Sequence, residues 1–518
     1  MDQTSVPMNI STDFRNLPAM VAQHAHDRPQ APALVCGAQR LSYGQLDALA
    51  SRVAAACQQR GWGPGDCLAI CAISCIEYVA VFLGALRAGL VVAPLAPGST
   101  AQQLVDMARD ADARCVWLDA SCADMAVPWP VPVQRLDPGQ LDAWTAAAPA
   151  QPQPVAIDPA WPFNIIYSSG TTGTPKGIVQ SHAMRWAHVQ RAGLSGYSAD
   201  TVTMIATPLY SNTTLVCLFP TLAYGGCAVL MPKFDALHYL QLAQAHRATH
   251  TMLVPVQYRR LMAHPEFDRF DLSSVRAKFS TSAPFHADLK ADILKRWPGA
   301  LNEYYGLTEG GGTCILQAHL HPTKLHTVGQ PAEGHDIRLI DEAGVEIARV
   351  PGGASADSGE VVGRSPGMMT GYHKQPALTA AADWFDAEGQ RFIRTGDVGR
   401  FDEDGFLTLL DRRKDMIISG GFNIYPSDLE AVLRGHADVA DVAVVGVPSD
   451  EWGETPVAFC VLRDGAAADA DGLRAWMNAQ VGKTQRLHAL RLIDELPRSA
   501  IGKVLKRELR DRVKRDLG

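Results

Sequence analysis

Two periods alternate along this chain. After Ser42, apolar residues Leu46, Leu49, Ala50 and Val53 fall at helical spacing behind a Ser42–Gln45 capping box, which predicts a helix ending at Gly61. Short apolar runs follow at Cys67 to Ala72, Val91 to Pro94, Cys115 to Leu118 and Phe163 to Ile166, and each reads as a strand. Helices alternating with such strands predict α/β layering. The most apolar stretch, Tyr78 to Pro94, is interrupted by Arg87 and edged by Glu77, so it reads as a buried helix and core strand rather than a membrane span. Residues Ala146 to Pro159 are rich in Ala, Pro and Gln and read as a connecting loop.

Between Val328 and Asp411 the texture changes to short strands. Turns are predicted at Asp341-Glu342-Ala343-Gly344, Pro351-Gly352-Gly353 and Asp402-Glu403-Asp404-Gly405, which suggests a small β subdomain. The charged segment Asp411 to Asp415 separates two apolar strands, Phe406 to Leu410 and Met416 to Ser419. Past it, Ser427 and Glu430 have the spacing of a second capping box, and strands and helices alternate to the end. The division is therefore residues 1–410, a connector at 411–415, and a compact domain at 416–518.

At 518 residues the chain exceeds what one hydrophobic core usually supports. A content of 47% hydrophobic and 19% charged residues is that of an ordinary globular protein. The formal charge of −7 gives no electrostatic reason to expect nucleic acid or an anionic membrane as partner. Eleven cysteines without C-x-x-C pairs suggest neither a zinc site nor a disulfide scaffold, and free thiols in the cytoplasm are expected. Met1 to Phe14 lacks the basic-then-apolar layout of a signal peptide.

The richest chemistry lies from Tyr167 to Gly177. Directly after the Phe163–Ile166 strand come Ser168, Ser169, Gly170, Thr171, Thr172, Gly173, Thr174, Pro175 and Lys176. Glycines let backbone N–H groups approach a phosphate chain, hydroxyls add donors, and Lys176 adds charge. A Walker-type loop would need glycine where Pro175 stands and Ser or Thr where Gly177 stands, so that reading fails. A bland surface loop fits less well, because a lysine closes it straight after a strand.

These residues resemble the signature of the adenylate-forming superfamily, which includes acyl- and aryl-CoA synthetases, luciferases and peptide-synthetase adenylation domains. The resemblance continues in order along nearly the whole chain, through Leu86-Arg87-Ala88-Gly89, Tyr304-Tyr305-Gly306-Leu307-Thr308-Glu309 and Thr395-Gly396-Asp397. It ends with Asp411-Arg412-Arg413-Lys414-Asp415 and Ser499-Ala500-Ile501-Gly502-Lys503. It implies a large multi-layered N-terminal α/β domain with a small β-barrel subdomain, and a smaller, mobile α+β C-terminal domain.

The same resemblance implies roles. Thr308 would contact the α-phosphate and Glu309 would bind magnesium, as suits a hard oxygen ligand. Tyr305, beside Gly306, would offer a ring face to adenine, while Tyr304 is read as a core aromatic. Asp397 would accept from both ribose hydroxyls, with Arg412 as the matching cationic partner on the ribose and phosphate side. Lys414 aligns with the hinge, and Lys503 with the lysine that reaches carboxylate and α-phosphate. Lys506 is read as an ordinary surface lysine. Joining a carboxylate to AMP brings two anions together, so such cationic groups act most strongly at the transition state.

The expected reaction consumes ATP and a carboxylic acid with magnesium, then CoA, with no prosthetic group. Gly420 and Gly421 resemble the wall of the pantetheine tunnel, and Trp452 falls where relatives stack the CoA adenine, although it could equally be a packing residue. That no carrier domain follows Lys503 also favours CoA. The acyl pocket is expected at Tyr210, Ser211, Asn212, Ser282 and Ala283, where small polar groups replace the histidine and glycines of many relatives. They could receive a polar substituent or merely satisfy local backbone. A fatty, alicyclic or aromatic acid remains open, as does a monomer or homodimer. Two rivals also stay open: acyl transfer to a carrier protein or other acceptor, and a non-catalytic nucleotide-binding protein.

Overall fold

Strand Cys67–Cys71 is buried at every position, and its side chains divide by parity. Leu68 and Ile70 enter one core cluster, while Cys67, Ala69 and Cys71 enter another on the opposite face. Side chains alternate across a strand, so a strand covered on both faces needs apolar residues at every position. Val91–Leu95 and Ala113–Leu118 flank it in parallel. The seven-stranded sheet they belong to runs in the order Gly371–Tyr372, Lys176–Ser181, Pro162–Ser168, Val91–Leu95, Cys67–Cys71, Ala113–Leu118, Val133–Arg135.

The computed structural model describes residues 13–123, 127–168, 176–349, 353–355, 357–412, 415–419, 422–449, 452–482, 485–499 and 502–517. It packs as two compact units. The first comprises Met1–Leu325, Ala332–Asp336 and Arg364–Asp383; the second comprises His326–Pro331, Ile337–Gly363 and Trp384–Gly518.

In the first unit a second sheet runs Gly310–Gln317, Ala300–Leu307, Ala277–Ser280, His250–Leu253, Val202–Ile205, Cys227–Leu230, Pro32–Cys36, Gln39–Ser42. Helices Tyr43–Gln59, Ile76–Arg87 and Asn212–Ala223 share a single core with residues of both sheets, among them Leu68, Val92, Ile205 and Phe279. Two of these helices pack so closely that a Cβ on Gly84 would lie 2.7 Å from the Ala50 carbonyl oxygen. The Ser42–Gln45 capping box forms as expected, at 2.9 and 3.3 Å. No described helix is long and apolar enough to cross a membrane, and Tyr78 to Pro94 is indeed a buried helix and strand.

One buried lysine holds a helix end in place. Lys278, on strand Ala277–Ser280, donates through Nζ to the carbonyls of Trp297 (3.0 Å), Pro298 (2.5 Å) and Gly299 (2.6 Å), just past helix Ala287–Arg296. The Trp297 carbonyl, at the C-cap, is one that a helix terminus leaves without an internal partner, and the other two belong to the turn that follows. Lys278→Met keeps the stem and removes the donors. Urea unfolding is expected to show a loss of about 1–3 kcal/mol; an unchanged midpoint would mean that water replaces the ammonium.

The second unit holds two sheets. In the first, Asp336–Ile340, Gly359–Arg364 and Arg391–Phe401 are neighbours, and Leu407–Arg412 pairs with Arg391–Phe401, around Ile340, Val362 and Phe392. The turns at Asp341–Gly344 and Asp402–Gly405 close as the sequence suggests, whereas Pro351 and Gly352 lie outside the described residues. The other sheet runs Phe422–Ile424, Ile417–Ser419, Gly453–Leu462, Val439–Ser449, with Ala489–Leu492 beside Gly453–Leu462. Val442 and Val444 face Leu429, Leu433 and Met477; Ala443, Val445 and Val447 face Leu509 and Val513.

Two expectations fail here. The Ser427–Glu430 capping box does not form. Pro426 starts the helix two residues earlier than a Ser427 cap would, at a position where its missing N–H costs nothing. Ser427 instead donates its hydroxyl to the Leu410 carbonyl and its N–H to Asp411 Oδ2 (3.1 Å). Lys506 is not an ordinary surface lysine either. Its side chain is 18% exposed, and Nζ lies 3.0 Å from Glu430 Oε1 and 4.0 Å from Asp411 Oδ2. Burial works against its charge, but the two carboxylates outweigh it and its pKa is raised.

Candidate active site

Strands Ala300–Leu307 and Gly310–Gln317 are antiparallel, and Leu307 faces Gly310. Thr308 and Glu309 are therefore the two residues at the tip of a hairpin. Gly310 has φ +82°, and a Cβ there would come within 1.9 Å of the Gly367 carbonyl oxygen, so only glycine closes this turn. The tip is held from three sides. Met369 N–H donates to the Glu309 carbonyl (2.8 Å), Gln180 Nε2 to the Thr308 carbonyl (2.6 Å), and Tyr372 Oη to Glu309 Oε1 (2.8 Å). Burial, and then the Glu309 carboxylate, raise the Tyr372 pKa, so the phenol remains a donor at neutral pH.

The same residues face the phosphate-loop strands. Ser168 pairs with Lys176 in backbone register, so the loop leaves and re-enters the sheet at one point. Lys176 Nζ lies 5.7 Å from the centre of the Tyr372 ring. The first unit thus gathers Ser168, Lys176, Thr308 and Glu309, while Ser169, Gly170, Thr171, Thr172 and Gly173 lie outside the described residues. Tyr372, Gln180 and Met369 were not anticipated.

Tyr304 is a core aromatic as expected: its ring stacks on Phe279 and its hydroxyl lies 3.3 Å from Ser195 Oγ. Tyr305 points to the other side of the strand and is half-buried, opposite Cys314; Gly306 next to it is exposed.

The residues assigned to the acyl pocket meet at the start of helix Asn212–Ala223, whose N-cap is Ser211. The hydroxyls of Thr213 and Ser282 are 2.6 Å apart, which ties this helix to the Ser282–Ala283 turn. Ser282 has φ +80°, a left-handed conformation uncommon outside glycine. Asn212 Oδ1 is buried and has no hydrogen-bond partner among the described residues. Tyr210 is half-buried, and burial raises its pKa.

In the second unit Asp397 pairs with Arg412 in the backbone register of neighbouring strands. Asp397 is 7% exposed, and its N–H donates to Thr395 Oγ1 (3.0 Å). Lys503 is exposed on a tight turn where Ser499 N–H donates to the Lys503 carbonyl (2.8 Å) and Lys503 N–H to Ser499 Oγ (3.2 Å). Trp452 is 51% exposed; its neighbour Gly453 pairs with Ser419, the residue before Gly420. Lys414, Gly420 and Gly421 lie outside the described residues. No group of three or more His, Cys, Asp or Glu suited to a metal ion occurs among the described residues.

A phosphate-loop strand pair beside a Thr-Glu hairpin, on a large α/β body with a compact C-terminal part, marks an enzyme of the adenylate-forming kind. Comparison with known proteins agrees. Residues 21–373 match the AMP-binding enzyme family and residues 428–503 match the AMP-binding enzyme C-terminal domain, so the chain belongs to the AMP-binding enzyme family. It is 32% identical over 498 residues to a feruloyl-CoA synthase of an Amycolatopsis species, covering 95% of this chain and 97% of the relative. An indoleacetate–CoA ligase of Aromatoleum aromaticum is 32% identical over 531 residues, covering 96% and 98%. The crystal structure of ATP-bound MatB from Rhodopseudomonas palustris superposes with a TM-score of 0.87 at 30% identity, covering 96% of this chain and 99% of that one.

Proposed function

We propose that the protein is an AMP-forming acid–CoA ligase. The acid's carboxylate attacks the α-phosphorus of ATP and displaces pyrophosphate, giving an acyl-adenylate. The CoA thiol then attacks the acyl carbon, loses its proton, and expels AMP. The observation that carries this reading is the Thr308–Glu309 tip, held by Tyr372 and Gln180 beside the Ser168–Lys176 strand ends. Support comes from the family match and from relatives that are themselves CoA ligases.

Within this reading Thr308 and Lys176 bind the phosphates, Tyr305 stacks on adenine, and Asp397 with Arg412 holds the ribose. Lys503 neutralises the converging anions, and Trp452 with Gly420 and Gly421 receives CoA. The Glu309 carboxylate, one oxygen oriented by Tyr372, is a hard oxygen donor that would hold a divalent cation. Magnesium there would supply charge neutralisation on the phosphate oxygens. All eleven cysteines are free, which supports a cytoplasmic enzyme.

The substrate is a hydrophobic fatty, alicyclic or aromatic acid. Asn212 Oδ1, buried and unpartnered among the described residues, is complementary to an acid that also carries an O–H or N–H donor. Pyrophosphate release and thioester formation with a panel of aliphatic, alicyclic and aromatic acids test the reading. No acid-dependent pyrophosphate release would overturn it, and acyl transfer only to a carrier protein would replace CoA as acceptor. Asn212→Leu is expected to shift the relative kcat/KM of hydroxylated and plain acids by about 10-fold or more. The KM for ATP should hold; a uniform loss across acids and nucleotide would point to structural damage instead.

A further inference from the structure

Arg185 is a buried cation without a counter-charge. It sits on helix His182–Gly193 and is 3% exposed. Its Nε donates to Asn164 Oδ1 (2.9 Å), but Nη1 and Nη2 are buried with no hydrogen-bond partner, and no carboxylate pairs with it among the described residues. The rings of Phe163 and Phe219, at 5.7 and 5.5 Å, supply the other contacts. Burial lowers the arginine's pKa to about 9, which still leaves it charged at neutral pH. A buried charge in that condition is strongly destabilising unless something neutralises it.

A small cavity adjoins it. The volume is about 10 Å³, and the lining includes Arg185, His182, Trp186, Phe163 and, just before helix Leu17–Asp27, Arg15 and Asn16. His182 Nε2 and Trp186 Nε1 are also buried without a partner. Burial holds His182 neutral by lowering its pKa to about 4, so with Nε2 protonated it donates. The guanidinium, indole and imidazole thus belong to residues that line this space, and each keeps a buried nitrogen without a partner among the described residues. The space is partly open rather than sealed, so a small ion can reach it, and its narrow volume favours a water or a monatomic ion over a larger anion. One water accepts only two hydrogen bonds and carries no charge to offset the guanidinium.

We propose that this cavity is a binding site for a monatomic anion, chloride in ordinary salt, held by Arg185 Nη1 and Nη2, Trp186 Nε1 and His182 Nε2. The occupant does more than neutralise. Arg185 Nε–H donates to Asn164 Oδ1, Asn164 Nδ2–H to Gln180 Oε1 (3.0 Å), and Gln180 Nε2–H to the Thr308 carbonyl (2.6 Å). All three bonds run in one direction, so fixing the guanidinium fixes both amide orientations and the backbone at the hairpin tip. The binding site stands on its own; its influence on turnover rests on the ligase reading.

The test is thermal unfolding of the full chain in sodium chloride, sodium bromide and sodium gluconate at equal ionic strength. Chloride and bromide are expected to raise the apparent Tm saturably by roughly 2–4 °C over gluconate, which is too large to enter. Arg185→Met should lose that difference. Should the variant fail to fold, anomalous diffraction from bromide-grown crystals of the wild-type protein locates the ion directly, with a peak expected against Arg185. Equal Tm in all three salts with no bromide peak in the cavity means a water resides there and overturns the proposal. A halide effect undiminished in Arg185→Met overturns it as well. These readouts need no substrate, so they fail or succeed independently of the proposed reaction.

Discussion

Replacing Lys503 by alanine is expected to slow acyl-adenylate formation by about 10²–10³-fold while leaving the thioester step near its wild-type rate. The first half follows from electrostatics. Carboxylate and α-phosphate are both anionic, and a preorganised cation matters most as they converge; removing a group of this kind typically costs about 10²–10³ in rate. The second half follows from the proposed hinge at Lys414, by which the C-terminal part carries Lys503 into the adenylation step and away for thiolation. Supplying synthetic acyl-adenylate with CoA isolates that step. The Lys503 side chain is exposed and its turn is closed by backbone and Ser499 bonds, so the alanine variant should fold normally. An equal loss in both half-reactions would mean one fixed geometry, and the hinge would be discarded.

Rotation about the proposed hinge at Lys414 would have a structural cost. Ser427 reaches back to Leu410 and Asp411, and Lys506 reaches Asp411, so both bridge the proposed hinge. Neither contact was read from the sequence, for different reasons. Ser427 carries a valid capping-box spacing, but Pro426 before it is the better helix start, and the freed hydroxyl found a distant carbonyl. Lys506 did leave a trace. With the buried Leu509 and Val513 it follows the i, i+3, i+7 spacing of one helix face, so it starts the inward stripe of helix Lys506–Leu517.

Strand Cys67–Cys71 and its neighbours Val91–Leu95 and Ala113–Leu118 were legible as short apolar runs, whereas the equally buried Cys227–Leu230, His250–Leu253 and Ala277–Ser280 were not. The Thr308–Glu309 hairpin, and the strands that enter and leave the proposed phosphate loop, were legible because the residues that mark them are adjacent in the chain. What supports them was not. Tyr372 meets Glu309 across 63 residues and Gln180 meets Thr308 across 128, so no local pattern marks either one. Arg185 reads in the sequence as one more charge on a polar helix, and only packing shows that it is enclosed.

Glu309→Gln is expected to depress pyrophosphate release by about 10²–10³-fold with an unchanged Tm. The amide keeps the shape of the carboxylate and an oxygen for the Tyr372 hydroxyl, so the hairpin has no reason to open. What it loses is the negative charge that a hard divalent cation requires. The deficit should therefore shrink as magnesium is raised, because a weakened site fills by mass action. Tyr372→Phe separates orientation from ligation. It removes one hydrogen bond to a charged group, on the order of 1.5–3 kcal/mol, and should slow adenylation by roughly 10–100-fold with a smaller shift in magnesium dependence. If Glu309 serves only to hold the hairpin, Glu309→Gln would turn over at near-normal rates even at limiting magnesium, and the metal would have to be sought elsewhere. A loss that no magnesium concentration relieves, with a lowered Tm, would instead make the residue structural.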